Sequence, residues 1–599
     1  MLKISVVLLP MQPEYRQILR YGFGILTVVT GFLLLFFAAN TYQTFEQLFQ
    51  VFCYERRFTG NTHAFGFSYS TYQIVIGALA LLTFSCMFLF YHFRRTSQNN
   101  LTEAFGLHLK TPGFPFKKLK QQWALLPTWE KSLLLAAGIL LVAARIYMLR
   151  LHPVITDEAA TYLLFVSKGL EASLSYYPLP NNHILYSVLC LPFDLVFDKA
   201  FLVLKLPSLL ISLAVFPVVH LSLRSVFRFP VAFIVAVGCG FSNYALFYAV
   251  HGRGYTLLLF CTIVATLALL KIVQQKDPAY WLVFILASVA GFLTIPIFLY
   301  PFGSLVIFGA GYFLITRNFR GLKHFVTACV FIGVITLLLY LPAMLVSGGG
   351  QLYGNDYVQA MSRQMFFAKL PAYVSYMHGA MLGQETLGKY LWLGGVSLFL
   401  FLLVFRQRLK AIYANAAIDL VVLSWVLCGS VLPFFLLTLH GVMPPERIWL
   451  FLIFADFLLL GIAFQVVVSF LPSKYQKMTP GFTVVFMAFY IGYQVVKQQR
   501  DFNADHSQSK RIERSLRNVH QYGHRTVFSN CNAYGINVVY EFLYSGEGDY
   551  IFDENTPKPG RQYDVVIIGT ENAAPVPFDL SGYFLFHEDP RMLIYFRRK

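Results

Sequence analysis

The feature that most constrains this chain is a series of long apolar segments separated by shorter polar ones. Each apolar segment has about 18–22 residues, the length that an α-helix needs to cross about 30 Å of hydrocarbon. Backbone polar groups in a bilayer must pair within the protein, so these segments are predicted to be helices. We count thirteen predicted spans, near residues 21–39, 71–91, 131–150, 203–223, 230–249, 255–273, 280–296, 297–315, 325–345, 390–405, 417–439, 447–469 and 480–496.

The charge content fits a membrane protein and excludes most soluble classes. Only 13% of the residues are charged and 57% are hydrophobic, whereas soluble domains carry about 25% charged residues. A net charge of +18 would suggest nucleic-acid binding in a soluble protein. Here the Lys and Arg residues lie between apolar segments and no nucleic-acid motif is present. We therefore expect the lipid bilayer, and not nucleic acid, to be the partner of the basic segments.

The distribution of Lys and Arg also predicts the orientation of the chain. With a cytoplasmic N-terminus, the inside segments hold more Lys and Arg than the longer outside segments, as the positive-inside rule requires. The apolar stretch 184–197 is not counted as a span, because it is short and contains Pro192 and Asp194. Counting it would place the basic segments 317–323 and 406–410 outside. The prediction is N-terminus inside and C-terminus outside.

Composition divides the chain into three parts. Residues 1–130 are predicted to be an N-terminal membrane extension of two helices followed by a basic cytoplasmic linker. Residues 131–497 hold the remaining spans and form the main membrane domain. Residues 498–599 change to short β-type runs separated by Gly, Pro, Asn and Asp, which predicts a small soluble α/β domain on the outer face.

Two adjacent carboxylates, Asp157 and Glu158, follow the third predicted span. In one interpretation Thr156 caps a helix and the two acids favour its positive N-terminal end. Further charged and polar residues fall on the same predicted face of the membrane, which favours a functional site. The predicted substrate-binding residues are Tyr162, Asn181, Asn182, His183, Lys205, His251, Arg253, Tyr255 and Arg447. Individually, Lys205 and Arg447 are equally compatible with cations that anchor a helix at the interface.

The segment Thr156-Asp157-Glu158-Ala159 and the later stretch from Pro180 through Asn181, Asn182 and His183 resemble a family. They are similar to the C-type (GT-C) membrane glycosyltransferases, in the branch of protein O-mannosyltransferases and the lipid A aminoarabinose transferase. The resemblance covers roughly residues 131–345. It implies a polyprenyl-phosphate sugar donor, an acceptor on the outer face and a bacterial cytoplasmic (inner) membrane. Lipid, glycan and protein acceptors all remain open.

The resemblance and, independently of it, the chemistry of the side chains suggest roles for the residues. Asp157 is expected to be the catalytic base of a single displacement with inversion, by analogy with the family. Adjacent residues of a helix point about 100° apart, so Glu158 is expected to orient the helix or the donor instead of acting as a second nucleophile. Lys205, Arg253 and Arg447 are candidates to stabilise the departing lipid phosphate. The neutral donors His251 and Tyr255 are expected to assist them, and Asn182 and His183 to hold sugar hydroxyls or the phosphate.

No cofactor is predicted, and no metal, because a lipid monophosphate carries less charge than a pyrophosphate and a cationic side chain can replace a metal ion. One competing hypothesis is a transporter or lipid flippase. Its best support is Asp456, a carboxylate in the middle of a predicted span, where an unpaired charge costs about 2.5–3.5 kcal/mol. A second competing hypothesis is a membrane scaffold that presents the C-terminal domain.

Overall fold

The computed structural model of the chain describes most of its residues, and every structural statement below refers to these. They are residues 12–51, 67–95, 115–177, 181–275, 277–353, 361–404, 420–504, 516, 519, 525–530, 535–544, 550–554, 556–570, 579–589 and 592–598. Most of the predicted basic linker, at residues 96–114, lies outside the described part, as does Pro180 of the segment that carries the family resemblance.

The helices follow one another with short connections. The N-terminal part holds α1 (Pro13–Ala39), α2 (Tyr42–Val51), α3 (Tyr69–Arg95) and α4 (Pro115–Leu125). The next group is α5 (Thr128–Leu151), α6 (Thr156–Leu164), α7 (Gly169–Ser175), α8 (Ile184–Asp194) and α9 (Ala200–Arg224). The central helices are α10 (Phe229–Phe241), α11 (Asn243–Tyr248), α12 (Tyr255–Gln275), α13 (Ala279–Thr294), α14 (Leu299–Ile315) and α15 (Phe319–Leu339). The last membrane helices are α16 (Arg363–Leu382), α17 (Gly388–Val404), α18 (Leu420–His440), α19 (Leu452–Ser469) and α20 (Ser473–Ala504).

All thirteen predicted spans fall on helices, but their lengths differ. Ten helices of the described residues are long and apolar enough to cross a membrane. The other three predicted spans correspond to shorter helices: α10 with 13 residues, α13 with 16 and α17 with 17. The stretch that was left out of the count forms α8, which has only 11 residues. The protein is therefore a multi-pass membrane protein, as predicted.

Local backbone chemistry explains two of the short helices. The predicted span 230–249 is interrupted at Ser242, whose extended backbone separates α10 from α11. Helix α13 ends at Ile295, which is also extended and precedes Pro296. A residue before proline disfavours the helical region because the proline ring collides with it. Every residue of α10 is buried, so this short helix lies inside the helical bundle.

The N-terminal extension packs against the main membrane domain. Helix α1 contacts α15, where Tyr15 stacks on His324 with ring centroids 5.3 Å apart. About two helical turns further along, Phe23 meets Phe331 edge to face, with ring centroids 5.2 Å apart. Edge-to-face and offset aromatic pairs are favourable beyond the area they bury.

The C-terminal part forms the small α/β domain that the sequence predicted. Its five strands are β1 (Thr526–Ser529), β2 (Ile551–Glu554), β3 (Val565–Gly569), β4 (Tyr583–Asp589) and β5 (Met592–Arg597). They form one sheet in the order β2-β1-β3-β5-β4. The β1 strand pairs in parallel with β2 and β3, while β5 pairs antiparallel with β3 and β4. Helix α21 (Gly535–Tyr544) connects β1 to β2, as parallel neighbours require.

Candidate active site

Helix α6 carries both predicted catalytic carboxylates, Asp157 and Glu158. The interpretation that Thr156 caps this helix is wrong, because the N-cap residue is Ile155. The Glu158 carboxylate reaches back to accept a hydrogen bond from the Ile155 backbone N–H, with 2.9 Å between N and Oε2. This contact satisfies a backbone donor that is otherwise free at a helix start. It fits the orienting role that was expected for Glu158.

Glu158 also forms a buried ion pair with Lys205. Their side chains are 0% and 1% exposed, and Nζ lies 3.2 Å from Oε1. The Lys205 ammonium donates further hydrogen bonds to the carbonyl oxygens of Pro153 at 3.1 Å and Val250 at 3.0 Å. The same Glu158 oxygen, Oε1, also accepts a hydrogen bond from the Gly252 backbone N–H. Lys205 is thus held by protein groups, and it joins α6 to α9 and to the connection between α11 and α12.

Asp157 points in another direction and remains accessible. Its side chain is 35% exposed and that of Arg447 is 47% exposed, with 3.9 Å between Asp157 Oδ2 and Arg447 Nη1. Arg447 belongs to the short 3-10 helix Glu446–Trp449 in the connection between α18 and α19. An exposed ion pair of this length contributes only about 0–1 kcal/mol. Both side chains can therefore rearrange around a bound ligand at little cost.

Arg253 lies behind Asp157 and is almost completely buried. Its Nη1 donates to the Asp157 carbonyl oxygen at 3.1 Å and to Thr161 Oγ1 at 2.8 Å. Its Nη2 lies 3.2 Å from His183 Nε2, while its Nε is buried without a hydrogen-bond partner within the described structure. The guanidinium group therefore supports the backbone of α6 and retains unused donor capacity next to His183.

The contacts of His183 bring two hydrogen-bond donors together. Its Nδ1 faces the Gly254 backbone N–H at 2.9 Å, and its Nε2 faces the Arg253 guanidinium. Burial lowers the pKa of His183 well below its usual range, and the charge of Arg253 lowers it further. A neutral imidazole carries one N–H and one acceptor nitrogen. Both contacts of His183 face N–H donors, so the imidazole can accept from only one of them and its own N–H must point at the other. An anion bound between His183 and Arg253 would accept from both the imidazole N–H and the guanidinium.

Aromatic side chains surround these groups. The Tyr255 ring meets the His183 ring edge to face, with ring centroids 4.9 Å apart. The ring centroids of Tyr248 and Tyr255 lie 5.0 Å apart. His251 is buried next to Tyr248, with ring centroids 5.3 Å apart. Burial lowers the pKa of His251 well below its usual range, and the positive charges of Lys205 and Arg253 lower it further. Burial thus favours the neutral forms of both His251 and Tyr255, and their role as donors to a ligand remains a prediction.

Two predicted substrate-binding residues, Asn182 and Tyr162, have other contacts. Asn182 is buried and its amide donates to the carbonyl oxygens of Ser173 and Tyr176, both at 2.9 Å, while Oδ1 accepts from Ser187 at 2.8 Å. The Tyr162 hydroxyl donates to Asp194 at 2.9 Å. Asn181 is half-buried. Asn182 therefore folds the loop that presents His183, and Tyr162 lies on the far side of α6.

Two glycines that sequence reasoning passed over allow the close packing of this site. A Cβ atom at Gly252 would lie 2.8 Å from Glu158 Oε1 and 3.0 Å from the Leu204 carbonyl oxygen. A Cβ atom at Gly254 would lie 2.6 Å from Thr294 and 3.1 Å from His183. The alternation of glycine with His251, Arg253 and Tyr255 was the available signal, because only glycine permits such a close backbone approach.

Asp456, which supported the transporter hypothesis, has a partner. His378 Nδ1 lies 2.9 Å from Asp456 Oδ1 and 3.0 Å from Oδ2, and both side chains are fully buried. The pair connects α16 with α19. The pairing offsets the cost of a lone carboxylate in the bilayer, so Asp456 does not by itself require a transport pathway.

Within the described residues, no group of three or more His, Cys, Asp and Glu side chains could hold a metal ion. Metal independence and the absence of a cofactor remain predictions.

Comparison with known proteins adds to this geometry. No protein-family model and no curated protein matches the sequence. The crystal structure of ArnT from Cupriavidus metallidurans bound to undecaprenyl phosphate aligns with a TM-score of 0.50 and 12% identity. This alignment covers 78% of the chain and 98% of ArnT. The chain has a GT-C fold.

The resemblance that the residues suggested is therefore confirmed at the level of the fold. Arabinosyltransferase EmbB from Mycobacterium smegmatis, determined by cryo-EM, aligns with a TM-score of 0.36 and 11% identity. That alignment covers 86% of the chain and 50% of EmbB, a similarity too low to add to the assignment. In this GT-C fold, the ends of α5, α9, α12 and α19 bring the candidate residues to one end of the bundle.

Proposed function

We propose that this GT-C protein is a membrane glycosyltransferase that moves a sugar from a polyprenyl-phosphate donor to an acceptor on the extracytoplasmic face. The observation that carries the proposal is the accessible Asp157–Arg447 pair beside the converging donors of His183 and Arg253. A base and an anion-binding group thus lie together at one end of the bundle. ArnT, a solved structure to which this chain is similar, was determined with bound undecaprenyl phosphate, which supports a lipid-linked donor.

The geometry suits a single displacement with inversion. The acceptor hydroxyl oxygen forms a bond to the anomeric carbon while the bond from that carbon to the phosphate oxygen breaks. Asp157 takes the proton of the hydroxyl group. The lipid phosphate leaves with the bonding electron pair, and Arg447, Arg253 and the His183 N–H stabilise its charge.

Glu158 and Lys205 have a supporting role in this proposal. Their mutual ion pair and their contacts with backbone groups are buried, so neither is free to contact a donor. They hold the start of α6, and thereby Asp157, in place. Lys205, which was a candidate phosphate contact, is proposed to act through this positioning.

The proposal also includes an orientation and a location. The N-terminus is proposed to lie in the cytoplasm and the C-terminal domain outside a bacterial cytoplasmic membrane, because the segments predicted to be cytoplasmic hold more Lys and Arg than the other segments. The reaction then uses no metal ion, since side-chain cations meet the phosphate. The acceptor class is a lipid, a glycan or a protein.

The test is a transfer assay with the purified protein reconstituted in lipid and supplied with a panel of polyprenyl-phosphate sugars and a crude acceptor fraction. Asp157→Asn keeps the size of the side chain but removes the base. Asp198→Asn is the matched control, because Asp198 is exposed and lies between α8 and α9, outside the site. Turnover that the first variant loses and the control keeps supports the proposal. A folded protein without turnover on any donor contradicts it.

A further inference from the structure

The C-terminal domain contacts the helix that carries the proposed base. The Thr156 hydroxyl donates a hydrogen bond to Asn537 Oδ1 at 2.7 Å. Thr156 is the first residue of α6 and directly precedes Asp157. Asn537 belongs to α21 and is buried. A side chain of the soluble domain thus holds the backbone position next to the catalytic one.

Apolar contacts extend this interface along the same helix. Ala159, Tyr162 and Leu163 of α6 share one buried cluster with Val539 and Tyr540 of α21. The ring of Tyr162 also meets the ring of Tyr544 edge to face, with centroids 5.3 Å apart. Tyr162 thus packs its ring against α21, while its hydroxyl donates to Asp194 of α8.

Helix α6 depends on such contacts for its direction. It has nine residues, which is too short for a span that the bilayer itself would orient. The membrane domain holds its start through Glu158, Lys205 and the Gly252 N–H. The hydrogen bond from Thr156 to Asn537 holds the same turn from the opposite side.

We propose that Asn537 is a positioning residue for Asp157, so that the C-terminal domain is part of the catalytic assembly and not an independent module. This inference rests on the proposed glycosyl transfer. Displacement of a reacting group by about 1 Å can lower the reaction rate about 100-fold. Loss of the Asn537 contact is therefore expected to lower kcat by about 10- to 100-fold. The KM for the donor is expected to stay the same, because Arg253, His183 and Arg447 are untouched.

The test is a double-mutant cycle in the full-length protein reconstituted in lipid. Asn537→Leu removes the acceptor oxygen, and Thr156→Val removes the donor hydroxyl without touching the core of the C-terminal domain. Both variants are expected to show the same loss of kcat, the double variant no further loss, and Thr156→Ser is expected to restore activity. Leu543→Ala is the control, since Leu543 is exposed on α21, and it is expected to match the wild type.

Amide hydrogen exchange provides a second measurement that needs no sugar donor. Both variants are expected to speed amide exchange at residues 156–160 without changing exchange in the sheet of the C-terminal domain. Wild-type kcat in Thr156→Val or Asn537→Leu overturns the inference, as do losses that multiply in the double variant. Unchanged exchange at the start of α6 also overturns it. A wild-type protein that transfers no sugar is a different result, which refutes the proposed function.

Discussion

Replacement of Lys205 by methionine tests whether this residue supports α6 or contacts the donor. Met fills the volume of the aliphatic stem, so the change mainly removes the charge beside Glu158. Breaking a buried ion pair by removing one partner costs about 3–5 kcal/mol. Here Glu158 retains the backbone N–H groups of Ile155 and Gly252 as donors. We therefore expect a loss near the lower limit, about 3 kcal/mol of the free energy of unfolding.

The assay is thermal unfolding of the purified protein in detergent, followed by tryptophan fluorescence. Glu158→Gln is expected to be destabilised as well, because it removes the negative charge that balances the buried Lys205 ammonium. It also turns an amide NH2 group towards one of the backbone N–H donors of Ile155 and Gly252. The double variant is expected to lose less than the sum of the single variants, since neither charge is then left unpaired. Lys199→Met is the matched control, because Lys199 is exposed immediately before α9.

The refuting result is specific. If Lys205→Met unfolds at the wild-type temperature but binds the donor more weakly, Lys205 contacts the donor phosphate and the buried pair with Glu158 is not its main role. An additive double variant would also refute the reasoning, because it would mean that the two charges do not interact.

Two further predictions concern the loop around Arg253. Gly254→Ala is expected to destabilise the protein by about 1–3 kcal/mol and to abolish transfer, because the new Cβ meets Thr294 and His183. Gly138→Ala is the control, since no atom lies within 4 Å of the added Cβ. It is expected to change neither the unfolding temperature nor the activity. The pKa of His183 is lowered in the folded protein, so the unfolded state binds more protons below about pH 6.5. The unfolding temperature of the wild type is therefore expected to fall as the pH drops from 7.5 to 5, and that of His183→Gln to fall less steeply. Equal slopes of unfolding temperature against pH in the two proteins would show that His183 does not take up a proton on unfolding.

The membrane helices could be predicted from the sequence because length and apolar character decide them locally. The exceptions have local causes that hydropathy does not register. Ser242 interrupts an apolar stretch through its backbone conformation, and Pro296 ends α13 through the residue before it. The burial of all of α10 depends on neighbours that are distant in the sequence.

The convergence of Asp157, His183, Arg253 and Arg447 could also be predicted, because helix ends on one side of a membrane lie close together. The direction of each side chain could not. The uses of Asn182 inside its own loop and of Tyr162 against α21 depend on side-chain contacts across the chain. The same is true of the pair between Asp456 and His378, since nothing in either local sequence indicates the partner.

The adjacent carboxylates show how one local rule leads to two different chemical roles. Neighbouring residues of a helix point about 100° apart, so a helix that rests on the membrane domain must turn one acid inward and leave the other near the surface. Glu158 is the inward residue, and its charge is matched by Lys205 and backbone donors. Because that charge is fully engaged, it can fix the helix but cannot take a proton from an acceptor. Among the described residues, the Asp157 carboxylate has only a long, exposed contact with Arg447, so we propose it as the carboxylate that an incoming hydroxyl group reaches.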